Sequence, residues 1–164
     1  MAPQSHYVRT MGSDGGVDPC DGPAIGLELS ALLADGIPPW RVALEIVAGL
    51  AEILVICEED DVYHGAITTD CVFVDETGAV SLEGFGVPNA APEGGTACAK
   101  GDGYGLGLVL AALIGSPELP KGLDGDAYED AVVDLVLGTD LTGLPATMQG
   151  DLQWFLGRLL DRAP

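Results

Sequence analysis

Basic residues are what this chain has least of. Six Lys and Arg stand against 26 Asp and Glu, leaving a formal net charge of −20 on 164 residues. A surface that negative repels nucleic acid and anionic lipid, because both are held by Lys and Arg neutralising phosphate. It also works against free nucleotide in the absence of a local positive patch. A paired-cysteine metal motif is missing too: Cys20, Cys57, Cys71 and Cys98 form no C-x-x-C, and His6 and His64 complete no ligand pattern. No zinc site and no metal cofactor are expected. Cys57 and Cys71 sit among apolar residues and read as buried thiols, which suits a reducing, cytoplasmic setting. No apolar run reaches the ~18–20 residues of a membrane span. The start carries no basic segment followed by an apolar one, so no secretory signal is expected.

What is present is enough to fold. The hydrophobic fraction is 48%, and the length is that of one domain. The heavy negative charge has two readings. It can simply keep an apolar protein soluble, or it can form an acidic face for a basic partner.

Residues 1–25 are rich in Gly, Pro, Ser and Asp and read as a loose tail, with one short strand at His6–Met11. "GSDGGVDPCDG" (12–22) reads as a linker, since its acids would repel phosphate. Gly26–Gly36 reads as a short helix. A long buried helix follows, with Pro38 and Pro39 in its first turn and an end at the acidic run Glu58–Asp61. Val42, Ile46, Leu50, Ile53 and Leu54 form its stripe, widened by Ala43, Val47 and Val55. Val72–Val74 and Val80–Leu82 form a hairpin over the turn Asp75–Gly78. Tyr104–Gly115 is apolar nearly all round and reads as a central helix. Ala127–Gly138 and Pro145–Pro164 read as amphipathic helices. In the last, Met148, Leu152, Phe155, Leu159 and Leu160 make the apolar side and Trp154 caps it. The fold class is mainly α with one small β hairpin.

The motifs then fall in a familiar order. "HGAITTDC" (64–71) precedes the hairpin, "GFG" (84–86) follows it, and "APE" stands at Ala91, Pro92 and Glu93. "GDGYGLGLVLAALIG" and a closing "LGRLLDRAP" come after. Over residues 26–164 the chain resembles the C-terminal lobe of a protein kinase, in the bacterial Ser/Thr kinase style, whose signature is H-R-D-L-x-x-x-N, D-F-G and A-P-E. The resemblance implies that His64 and Phe85 pair in an internal hydrophobic spine. It implies that Asp102 accepts hydrogen bonds from the loop backbone, and that Gly86 closes the metal motif.

The same resemblance implies that the chemistry is missing. Ala66 stands in place of the proton-accepting aspartate, Thr68 of a phosphate-contacting lysine, Cys71 of a metal-binding asparagine and Gly84 of a metal-binding aspartate. Phosphoryl transfer depends on positioning and on charge neutralisation, so no catalytic residue is expected. Asp70 and Glu83, the nearest carboxylates, read as solvated or structural. Cys71 with His64 reads as a core cysteine rather than a thiol–base pair. Ser30, Ser81 and Ser116 lack a nucleophile elbow. Only residues 1–25 precede the match, with no Lys and no G-x-G-x-x-G, so the expectation is a lobe without its N-terminal partner and without ATP binding.

Three functions follow as expectations. The first is a non-catalytic pseudokinase lobe that acts as an adaptor or regulator in bacterial signalling. It would bind a protein, or a second copy, over a face exposed around His64, Phe85 and the hairpin. The "APE" segment and the last two helices offer it a second surface. The second is an acidic inhibitor or immunity-type binder of a basic protein. The third is a residual nucleotide sensor.

Overall fold

The structure, a computed structural model, describes residues 26–85, 99–115 and 125–160, together with the backbone of 10–11 and 17–18. Side chains are described for 26–85, 101–115 and 130–160. Gly86, Ala91, Pro92, Glu93, Ser116, Cys20 and Cys98 lie outside these residues. In chain order the elements begin with β1 (Thr10–Met11), β2 (Val17–Asp18), β3 (Leu27–Glu28), α1 (Leu29–Ala34) and α2 (Trp40–Glu59). They continue with β4 (Val72–Val74), β5 (Val80–Leu82), α3 (Ala99–Gly115), α4 (Gly125–Leu137) and α5 (Ala146–Leu160). The fold is mainly helical with a small antiparallel sheet. Among the described residues no helix is long and apolar enough to cross a membrane.

The sheet is larger than the expected hairpin. Strand order is β3-β4-β5, and Leu27 faces Val74 while Glu28 faces Phe73. The helix expected over Gly26–Gly36 therefore gives up its first residues to β3. Gly26 makes this possible: at φ +127° it lies so close to β4 that a Cβ would come within 2.3 Å of the Val74 carbonyl oxygen. The β4–β5 pairing is as the pattern indicated, with Val72 opposite Leu82 and Val74 opposite Val80. Its turn is organised by Asp75, whose carboxylate accepts from the Thr77 and Ala79 amides at 2.8 and 2.9 Å. Before the sheet, β1 and β2 pair antiparallel where a single short strand was expected.

Helix α2 starts one residue after Pro39, whose carbonyl accepts from the Ala43 amide, so both prolines precede the first turn. Its buried face is Ala43, Ile46, Val47, Gly49, Leu50, Ile53 and Cys57. Val42 and Val55, read as part of the stripe, are instead exposed at 42% and 56%. The helix ends in a Schellman motif: the Asp61 amide bonds to the Glu58 carbonyl and the Val62 amide to that of Cys57. Asp61 takes the left-handed conformation at φ 56°, usually a glycine position.

Helix α3 packs on α2 and on α5, and α4 packs on α5. It begins at Ala99, five residues before the expected start, so Asp102 falls in its first turn. Leu110 and Leu113 are fully enclosed beside Leu50 of α2. Deleting side chains of this kind to Ala costs roughly 2–5 kcal/mol each. In α5 the buried residues are Leu152, Leu156 and Leu160; Phe155 is exposed and Trp154 is 68% exposed, so Trp154 caps nothing.

Candidate functional site

The loop from His64 to Cys71 joins α2 to β4, and three elements converge on it. From the first turn of α3, Asp102 reaches into the loop. Its Oδ2 accepts the His64 amide at 2.9 Å and its Oδ1 the Gly65 amide at 2.6 Å. Asp102 and His64 are each only 4% exposed and are the buried polar residues among those described. A buried carboxylate is tolerable when charge-assisted bonds satisfy its oxygens. The N-terminal turn of α3 adds its positive end.

The imidazole of His64 is fixed at both nitrogens. Nε2 lies 2.7 Å from the Glu83 carbonyl oxygen, which can only accept, so Nε2 carries the proton. The Ala66 amide donates to Nδ1 at 3.2 Å, so Nδ1 presents a lone pair. The ring is thus the neutral Nε2–H tautomer, and neither nitrogen is available to a substrate. Phe85 meets its face edge-on, with centroids 5.0 Å apart and planes at 68°. Glu83 serves this site through its backbone oxygen.

Ile67 is the loop's apolar anchor, 3% exposed. It seats against Gly105 of α3, where a Cβ would come within 2.7 Å of the Ile67 Cβ and 3.0 Å of its carbonyl oxygen. Gly107, on the other side of the helix, gives α5 the same close approach, at 3.2 Å from the Leu159 Cβ. The glycine spacing in "GYGLG" was the available signal for this double contact, and apolar patterning alone does not read it.

At the far end of the loop Cys71 is half-buried. Its Sγ accepts the Thr68 amide at 3.2 Å and donates to the Thr68 carbonyl at 3.1 Å. Burial pushes the thiol pKa up, outweighing the bonds from Thr68 that pull it down. The sulfur therefore closes the loop as a thiol and is poorly suited to nucleophilic work. Cys57, the other free cysteine described, is fully buried in α2.

Of the remaining positions singled out, Asp70 carries a carboxylate and Thr68 a hydroxyl. Ala66 is half-buried and carries a methyl; Thr68, Asp70 and Gly84 are exposed. Gly84 sits at φ +90°, with His64 Nε2 3.6 Å from where a Cβ would stand. Among the described residues no group of three or more His, Cys, Asp and Glu side chains is placed to hold a metal ion.

One expectation holds less well at the two rings. The surroundings of His64 and Phe85 are not an open apolar face: His64 is buried and Phe85 is half-buried against the core. The two rings, Glu83 and the Asp102 clamp enclose one another. Among the described residues the exposed large apolar side chains are Leu27, opposite Val74 of the hairpin, and Ile37, Val42, Val55, Ile56, Trp154 and Phe155. No protein-family model matches the chain, and no curated protein matches it.

Proposed function

We propose that this chain is a kinase C-lobe-like, non-catalytic module that works by binding another protein. The carrying observation is the clamp of Asp102 on the His64 and Gly65 amides, which frames the start of a loop whose matched positions carry Ala66, Thr68 and Cys71 in place of aspartate, lysine and asparagine. The reading draws on motif order for the kinase likeness. It draws on Ala66, Thr68, Cys71 and Gly84 for the lack of catalysis: a methyl and a hydrogen cannot take a proton, and a protonated thiol is a poor ligand for a hard cation. A framed loop with those groups replaced suits presentation of a surface.

Binding of ATP with Mg²⁺ is the sharpest test. A ligand at ~100 times its dissociation constant stabilises a fold by about 2.7 kcal/mol. The expected result is no change in melting temperature at millimolar ATP and Mg²⁺. A rise of several degrees overturns the reading in favour of a nucleotide sensor.

A second reading, an acidic inhibitor of a basic protein, is favoured by the net charge of −20. Its signature is a partner whose affinity falls steeply with added salt.

A further inference from the structure

Between the C-terminal half of α2 and the start of α3 lies an open cleft of about 160 Å³. Leu54, Val55, Tyr63 and Leu106 line it, together with the carboxyl-bearing Glu58 and Asp102. Pockets for drug-sized ligands run to ~300–1,000 Å³, so this one has room for a single inserted side chain. Its lining is apolar with acid beside it. That combination matches a long aliphatic stem ending in a cation, as in Lys or Arg, whose methylenes bury while the charge stays at the edge.

The surface around the cleft points the same way. Val55, on the cleft's rim, is 56% exposed. Glu58, Glu59, Asp60 and Asp61 follow consecutively, all of them exposed. The last turn of α2 contains no basic residue. Carboxylates at a helix C-terminus oppose the helix dipole and repel one another. A cation from a partner would lower that repulsion.

We propose that the α2/α3 cleft is a docking site for a basic protein segment. A Lys or Arg of the partner enters the cleft beside Glu58, and an apolar neighbour of that residue rests on Val55. Nucleic acid and anionic lipid are repelled by the same charge. The site adjoins the 64–71 loop through Asp102 but does not depend on the kinase-like reading: stabilisation by ATP would sink that reading and leave this one standing.

The test titrates the full chain with a synthetic amphipathic Lys/Leu peptide, followed by methyl NMR, with a matched Glu/Leu peptide as control. The expected result is that shifts concentrate at Leu54, Val55 and Leu106. Glu58→Lys should weaken binding about ten-fold and the uncharged change Val55→Ser several-fold. Glu45→Lys makes the same charge change on the same helix, ~20 Å away, and should weaken it less than about two-fold. These positions are exposed, and an unchanged melting curve shows that the fold is kept. The proposal is overturned if Glu58→Lys and Glu45→Lys weaken binding equally, which is delocalised attraction to a −20 protein. It is equally overturned if the shifts spread over every acidic residue, or if the Lys/Leu peptide does not bind.

Discussion

Asp102 holds the backbone of His64 from 38 positions away in the chain, with the second carboxylate oxygen on the Gly65 amide. One buried and one half-buried amide thus depend on one side chain. In Asp102→Asn one oxygen can still accept, but the amide NH₂ then faces a second donor. That substitution should cost about 2–3 kcal/mol, and Asp102→Ala, which strands both amides, about 3–5 kcal/mol. Urea unfolding with an unchanged slope would measure the difference. If Asn matched wild type, the clamp would not be a structural element.

Two glycines in helices should respond oppositely to alanine. At Gly105 a Cβ has 2.7 Å to the Ile67 Cβ and meets backbone besides, so Gly105→Ala must push the 64–71 loop off α3. Overpacking of this kind costs roughly 1–3 kcal/mol. At Gly150 in α5 a Cβ meets nothing within 4 Å. Gly150→Ala should therefore stabilise by about 0.5–1 kcal/mol through helix propensity alone. Paired melting temperatures check the prediction, and two shifts of the same sign would contradict it.

The parts of the fold that a sequence shows are those set by local rules. The three- and four-residue spacing marks α2, and Asp75 through Gly78 marks the β4–β5 turn. What escapes is set by neighbours. Leu27 and Glu28 are a strand because β4 lies beside them, though their own pattern suits a helix. Val42 and Val55 belong by pattern to the apolar stripe of α2, but they stand exposed at its edge. In α5, Leu156 turns inward while Phe155 turns out, a rotation that only contact with α3 and α4 decides. At the site, motif order singles out His64, Phe85 and Asp102. The seating of Ile67 on Gly105 and the closure of the loop by Cys71 are through-space relationships with no linear pattern.

Cys71 should be slow to alkylate. Its folded pKa is raised above the ordinary 9.0 by burial, so at pH 8 its thiolate fraction falls below that of the unfolded chain. Site-resolved mass spectrometry after iodoacetamide should show Cys71 protected in the native state and labelled rapidly in urea. The sign for stability follows. A group whose folded pKa is raised contributes stability that is whole below the unfolded value and is lost as pH rises through the folded one. Stability should therefore decline above about pH 9, and Cys71→Ser should remove the part of that decline due to this thiol. Rapid native labelling at pH 8 would instead make Cys71 a reactive thiol.

Asp61 closes α2 in a conformation that glycine adopts freely and other residues do not. It sits at φ 56°, at the position after the helix cap where a Schellman motif favours glycine. It also adds a fourth consecutive carboxylate after Glu58, Glu59 and Asp60, at the negative end of the helix dipole. Asp61→Gly removes the backbone strain and one like charge together. The left-handed conformation costs an ordinary residue ~1–2 kcal/mol and Asp somewhat less, so the substitution should raise stability by about 0.5–1 kcal/mol. Separating the two contributions needs Asp61→Asn, which discharges the side chain but keeps a Cβ. If Asn gains as much as Gly, repulsion among the carboxylates is the larger effect, and added salt should then shrink the gain. If Gly gains and Asn does not, the strain is in the backbone and salt should leave it unchanged.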